Sequence, residues 1–182
     1  PILTNILSGP ILNEKVTFKQ WIGVLLGFFG ATLVLGLDLG TKIPLLGLIA
    51  TIIALISITA STIWQKKLSN NLPLSVSNFY QAVGGCSFHI LIVIFFTKPY
   101  IAFTKTFFLA MGHQIFLVSF GAFTILMFLI KKNSASKTVS IFFLIPATSA
   151  LMAWFFLEES LTATDILGFL ITSIGVYIAT RD

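Results

Sequence analysis

The chain has 182 residues, 57% of them hydrophobic and only 9% charged, with a net charge of +5 and a mean hydropathy of +1.01. A soluble domain carries about a quarter charged residues, so this composition excludes a water-soluble globule and indicates an integral membrane protein. The basic balance does not indicate nucleic acid, because the lysines stand singly or in pairs in short gaps between apolar runs, where topology signals belong.

A helix needs about 20 apolar residues to cross a bilayer. Residues 1–12 are fewer and read as the tail of a truncated span. Six spans are predicted after it, at residues 21–37 (short), 43–64, 74–96, 107–130, 138–157 and 161–180. The runs are continuously apolar and do not alternate at period two, so they are helices and not barrel strands. The fold class is therefore all-α, a polytopic transmembrane helix bundle. Turn residues punctuate it at 38–40, 69–71, 98–99 and 132–134. The single Cys86 lies in an apolar run and reads as a small packing residue.

Gaps on one side of the membrane carry Lys15, Lys19, Lys66, Lys67, Lys131, Lys132, Lys137 and Arg181, and those on the other carry Lys42, Lys98 and Lys105. The positive-inside rule puts the richer side, and with it the C-terminus, in the cytoplasm. Asp38, Glu158, Glu159 and Asp165 fall outside, while Glu14 and Asp182 fall inside.

The pattern Pro1, Glu14, Thr17, Gly23, Gly30 recurs 145 residues later as Pro146, Glu159, Thr162, Gly168, Gly175. This is an internal duplication. Glu14 and Glu159 fall on opposite sides, so the copies are inverted, and five spans separate one Pro–Glu unit from the next. An inverted five-plus-five arrangement fits, with the first repeat truncated. If the copies are equally long, the first begins roughly 108 residues before Pro1, and the missing N-terminal half of the same protein is the expected partner.

Residues 43–64 place Ser57, Ser61 and Trp64 on one face. Hydroxyls and an indole there suit an organic substrate. The alternative is helix–helix hydrogen bonding plus an interfacial Trp belt. The next span has Asn78, Gln81, Gly85 and His89 on one face with Tyr80 beside them, the most polar membrane face of the chain. Polar groups within a bilayer are costly unless they face protein or water, so Asn78, Tyr80 and Gln81 are the first candidates for a substrate pathway. His89 and His113, the two histidines of the chain, are candidates for proton coupling, although a hydrogen-bonded or interfacial histidine is the favoured reading.

Pro146 removes a backbone donor within its span and predicts a helix kink. It either frees a carbonyl to line a cavity or serves packing, and its recurrence as Pro1 favours a hinge. Glu159 and Glu14 are expected to cap or orient the helix that follows each. Gly23, Gly27 and Gly30, and Gly168, Thr172 and Gly175, form small-residue flanks for close helix contact. No Asp or Glu lies mid-span, which disfavours a small-cation antiporter working through a buried carboxylate. There is no phosphate loop, metal-ligand spacing or nucleophile elbow, so no cofactor, metal or enzymatic activity is expected.

The run from Pro146 through Glu159, Ser160, Leu161 and Thr162 to Gly168 and Gly175 resembles the end of a repeat in EamA-type transporters of the drug/metabolite transporter superfamily. Residues 1–37 resemble the end of a first repeat and residues 43–182 a second. The resemblance implies a ten-helix carrier of the bacterial inner membrane with both termini inside and the last helix of each repeat peripheral. It implies amino-acid, nucleotide-like or other small organic substrates, with the lipid bilayer as surroundings. The expected function is alternating-access transport. The alternative is an accessory subunit or membrane enzyme without transport of its own.

Overall fold

The computed structural model describes residues 1–36, 44–69, 72–96, 98 and 100–181. The expected domain boundary at 37–43 lies outside the described residues, as do Lys42, Asn70, Asn71, Pro99 and Asp182. Seven helical segments are described: α1 (Ile2–Leu12), α2 (Phe18–Leu35), α3 (Leu45–Ser69), α4 (Leu74–Phe96), α5 (Lys105–Lys132), α6 (Ala135–Leu157) and α7 (Ala163–Thr180). Segments α2 to α7 are each long and apolar enough to cross a membrane. Their ends shift from the expected ones where local caps outweigh hydropathy. Thr17 starts α2 at Phe18, and Gly36, at φ 69°, ends it at Leu35. Ser134 accepts from Lys137 N and starts α6 at Ala135. Lys66 and Lys67 extend α3 past Trp64.

Two segments are internally irregular. Residues His113–Ala122 of α5 are π-helical, and Ser119 Oγ donates to the carbonyl five residues back, Gln114, at 3.1 Å. Hydropathy carries no signal for this. In α6 a 3-10 turn at Ile141–Phe143 separates the α-helical pieces Ala135–Ser140 and Leu144–Leu157. Pro146 stands three residues after the turn, and a proline ring displaces the carbonyl four residues before it, here Phe142, within the turn.

The chain divides into two units, residues 1–67 with 133–182, and residues 68–132. In the first, α2 and α7 make the most extensive helix contact of the described residues. The two helices have the same offset of 145 at both ends. So do the left-handed caps Asn13 and Glu158, at φ 55° and 57°, and the capping boxes Thr17–Gln20 and Thr162–Asp165. The duplication is therefore structural down to the turn that starts each helix.

Glycine places the two copies against each other. A Cβ on Gly23 would lie 2.6 Å from the Gly175 carbonyl oxygen and 2.4 Å from Ala179 N. One on Gly168 would lie 2.7 Å from both the Gly30 carbonyl oxygen and Val34 Cγ2. One on Gly175 would meet Gly27 N at 2.4 Å, and one on Gly30 would meet Thr172 N at 2.6 Å. Position 23 meets 175 and 179 while 30 meets 168 and 172, so the helices run antiparallel. Each contact also maps onto another when the copies are exchanged, which is the isologous pattern of a two-fold interface. Small residues let the backbones approach this closely. Val24, Ala31, Phe143, Val176 and Ala179 form the adjoining core, with Ile2 and Leu144 packed on it.

A polar seam joins α1 to α6. Thr4, Asn5, Ser8, Ser136, Thr138 and Ser140 are buried. Asn5 Oδ1 accepts from Ser136 Oγ, and Ser8 Oγ donates to the Asn5 carbonyl at 3.2 Å. Both Glu14 carboxylate oxygens accept from Ala135 N at 3.0 Å. Glu14 thus caps α6, 121 residues away, and not the helix that follows it. Its repeat mate also departs from expectation, since Thr162 and Asp165 cap α7 while Glu159 is exposed. A capping box needs its acid at the third helical position, which Asp165 occupies.

Candidate functional site

Each polar face lies on its own helix. On α3, Ser57, Ser61 and Trp64 are all exposed. The buried positions there include Thr59 and Ile63, on the opposite flank. Thr59 Oγ1 donates to the Leu55 carbonyl at 2.8 Å, a local bond that satisfies the hydroxyl within the helix. Trp64 stands near the basic end of α3, with Lys67 Nζ 5.9 Å from its ring centroid.

On α4, which belongs to the second unit, the predicted residues separate. Gln81 is half-buried, and its Nε2 donates to Ser77 Oγ at 3.3 Å and approaches Met127 Sδ of α5 at 3.9 Å. Asn78 is half-buried, and its Oδ1 is shielded from solvent with no hydrogen-bond partner among the described residues. An unsatisfied buried acceptor costs about 1–3 kcal/mol, so this oxygen is poised to accept a donor. Tyr80 is 69% exposed and points away from this pair, with its ring edge-on to Phe79 at 5.6 Å. His89 is exposed, and its Nδ1 lies 2.7 Å from the Gly85 carbonyl, a bond that consumes one ring nitrogen locally. His113 is exposed at the start of the π-helical stretch of α5. Lys131 Nζ donates to the Leu72 carbonyl at 2.9 Å and ties the ends of α4 and α5.

Asn78 and Gln81 therefore share a half-buried face, joined by Ser77 and Met127, which sequence reasoning did not select. Ser77 sits one turn before Gln81, so the signal for it was present. Met127 had none, being one apolar residue among many. Pro146 is half-buried. One further groove, of about 540 Å³, runs along α6 over Thr148, Ser149, Met152, Ala153, Phe156 and Leu157. No group of three or more metal-ligating side chains occurs among the described residues.

Six apolar helices of spanning length among the described residues, with a duplicated pair packed antiparallel, mark a multi-pass membrane protein. The EamA-like transporter family matches residues 45–181, and the chain belongs to that family. It is 28% identical over 182 residues to the uncharacterized transporter YvbV of Bacillus subtilis, covering 94% of this chain and 56% of that protein. It is 23% identical over 185 residues to the uncharacterized transporter YoaV of the same organism, covering 99% of this chain and 63% of that protein. The chain thus spans a little over half the length of these relatives. No solved structure matches it.

Proposed function

We propose that this chain is part of a secondary transporter that moves small organic metabolites, amino-acid or nucleotide-like compounds, across the inner membrane by alternating access. The observation that carries the reading is the antiparallel, exchange-symmetric contact of α2 with α7. Inverted repeats give a carrier two related conformations by rocking one copy against the other, and membership of the EamA-like transporter family supports the same reading. The C-terminus is assigned to the cytoplasm from the lysine distribution.

Substrate contacts are assigned to two separate faces, Asn78, Tyr80 and Gln81 on α4 and Ser57, Ser61 and Trp64 on α3. The unpartnered Asn78 Oδ1 is the group best suited to a substrate N–H or O–H. Pro146, beside the 3-10 turn of α6, is assigned the hinge. His89 and His113 are retained as coupling candidates. The test is flux in liposomes containing the purified full-length protein, scanned over amino acids and nucleosides. Asn78→Ala with Gln81→Ala should lower flux per folded protein at least about tenfold, the equivalent of one lost hydrogen bond, with monodisperse protein recovered in detergent as the check on folding. Unchanged flux removes the α4 face from the pathway. Flux that appears only with a second protein favours an accessory subunit.

A further inference from the structure

The α2–α7 pair has two ends, made equivalent by the repeat, yet their chemistry differs. At one end a partly enclosed cavity of about 360 Å³ is lined by Lys15, Thr17, Phe18, Lys19, Gln20, Lys137 and Arg181. These come from the turn before α2, the first turns of α2 and α6, and the residue after α7. Four lining residues are cationic and none carries a carboxylate. Two acids adjoin these residues in sequence: Glu14, beside Lys15, has both carboxylate oxygens on Ala135 N, and Asp182, beside Arg181, lies outside the described residues. Lys15, Lys19 and Arg181, like charges around one cavity, raise one another's free energy, and an anion seated among them removes that repulsion.

The opposite end is an internal control. At the offset of 145, Ser160 stands for Lys15, Thr164 for Lys19, Asp165 for Gln20 and Gly36 for Arg181. The scaffold of capping box and close glycines is kept, so packing of the pair does not require the cations. They are an addition to one end. The Arg181 guanidinium is also held, its Nη1 donating to the Tyr177 hydroxyl and its centre 5.2 Å from that ring.

We propose that this cavity binds a phosphate group, contributed by the headgroup of an anionic phospholipid or by a soluble phosphate. Lys15, Lys19 and Arg181 neutralise the oxyanion, and basic pockets at the ends of membrane helices recognise lipid headgroups in this way. Phe18, 79% exposed at the rim, offers an apolar surface to an acyl chain and favours the lipid.

The test is native mass spectrometry of the full-length protein in detergent, titrated separately with phosphatidylglycerol and phosphatidylcholine. The protein should retain phosphatidylglycerol at concentrations where phosphatidylcholine is lost. Affinity should fall about fivefold for each cation removed, so roughly 25-fold in Lys15→Gln with Lys19→Gln. Lys15→Arg with Lys19→Arg should keep binding. Raised salt should weaken phosphatidylglycerol binding to the parent and leave phosphatidylcholine unchanged, a readout that needs no variant. A parallel titration with inorganic phosphate separates the sources: protection against heating by inorganic phosphate without phosphatidylglycerol retention identifies a soluble phosphate as ligand. Equal retention of the two lipids with no response to inorganic phosphate overturns the proposal, as does full binding by the double glutamine variant.

Discussion

Glycine marks two regions of this protein and means different things in each. In α2 and α7 a Cβ on Gly23, Gly30, Gly168 or Gly175 would strike backbone atoms of the partner helix at 2.4–2.7 Å. In α4 a Cβ on Gly84 or Gly85 would meet nothing within 4 Å among the described residues. Both sets lie in apolar helices of similar hydropathy. The difference teaches that a glycine spacing identifies a close crossing only when a second spacing answers it. Gly23 and Gly30 have Gly175 and Gly168 to meet, whereas nothing described meets Gly84 and Gly85.

The contrast can be broken by substitution. Gly30→Leu forces a side chain into the Thr172 and Gly168 backbone and should cost about 3 kcal/mol or more, read as a large fall in melting temperature or loss of monodisperse protein in detergent. A normal melting curve would show that the two backbones are farther apart than described. Glu14→Ala removes the acceptor of Ala135 N and should cost about 1.5–3 kcal/mol, with Glu14→Gln recovering part of it. The same melting assay reads both, and an unaffected Glu14→Ala protein would mean water caps α6 equally well. Gly84→Ala should do least. It is neutral or stabilising by about 0.5–1 kcal/mol, because alanine loses less backbone entropy in a helix. A loss comparable to that of Gly30→Leu would reveal a contact on α4 that the described residues do not provide.

Much of the fold is legible in the sequence, for a physical reason. Crossing a bilayer is a demand on length and polarity, and both are local properties of a sequence. The offset of 145 also carries real geometry, since it relates helix ends, left-handed caps and capping boxes. What could not be read is pairing across distance. That Gly23 meets Gly175 and Ala179, while its own repeat mate meets Gly30 and Val34, requires the exchange operation and not the offset alone. Glu14 was expected to serve the helix beside it, because sequence reasoning ranks near neighbours first, and it serves Ala135 instead. The polar faces were legible as faces but not as surroundings. Asn78 and Gln81 are half-buried, whereas Tyr80, Ser57, Ser61 and Trp64 are exposed, and helical periodicity alone cannot rank them. The π-helical stretch of α5 left no mark in composition, because its ten residues are as apolar as the α-helical turns around them.

The crossing of α2 with α7 also sets a schedule. Its partners stand 145 residues apart in the repeat, with four other spans between them. At a synthesis rate of about 5–20 residues per second, α2 waits roughly 7–30 s for α7. Over that interval its glycine flank has only lipid, or passing helices, to rest against. A flank so bare makes its full contact only with a helix equally bare, because both backbones must lack side chains where they touch. Bareness thus lets α2 idle in the bilayer without committing, until the one helix shaped like itself arrives from the ribosome.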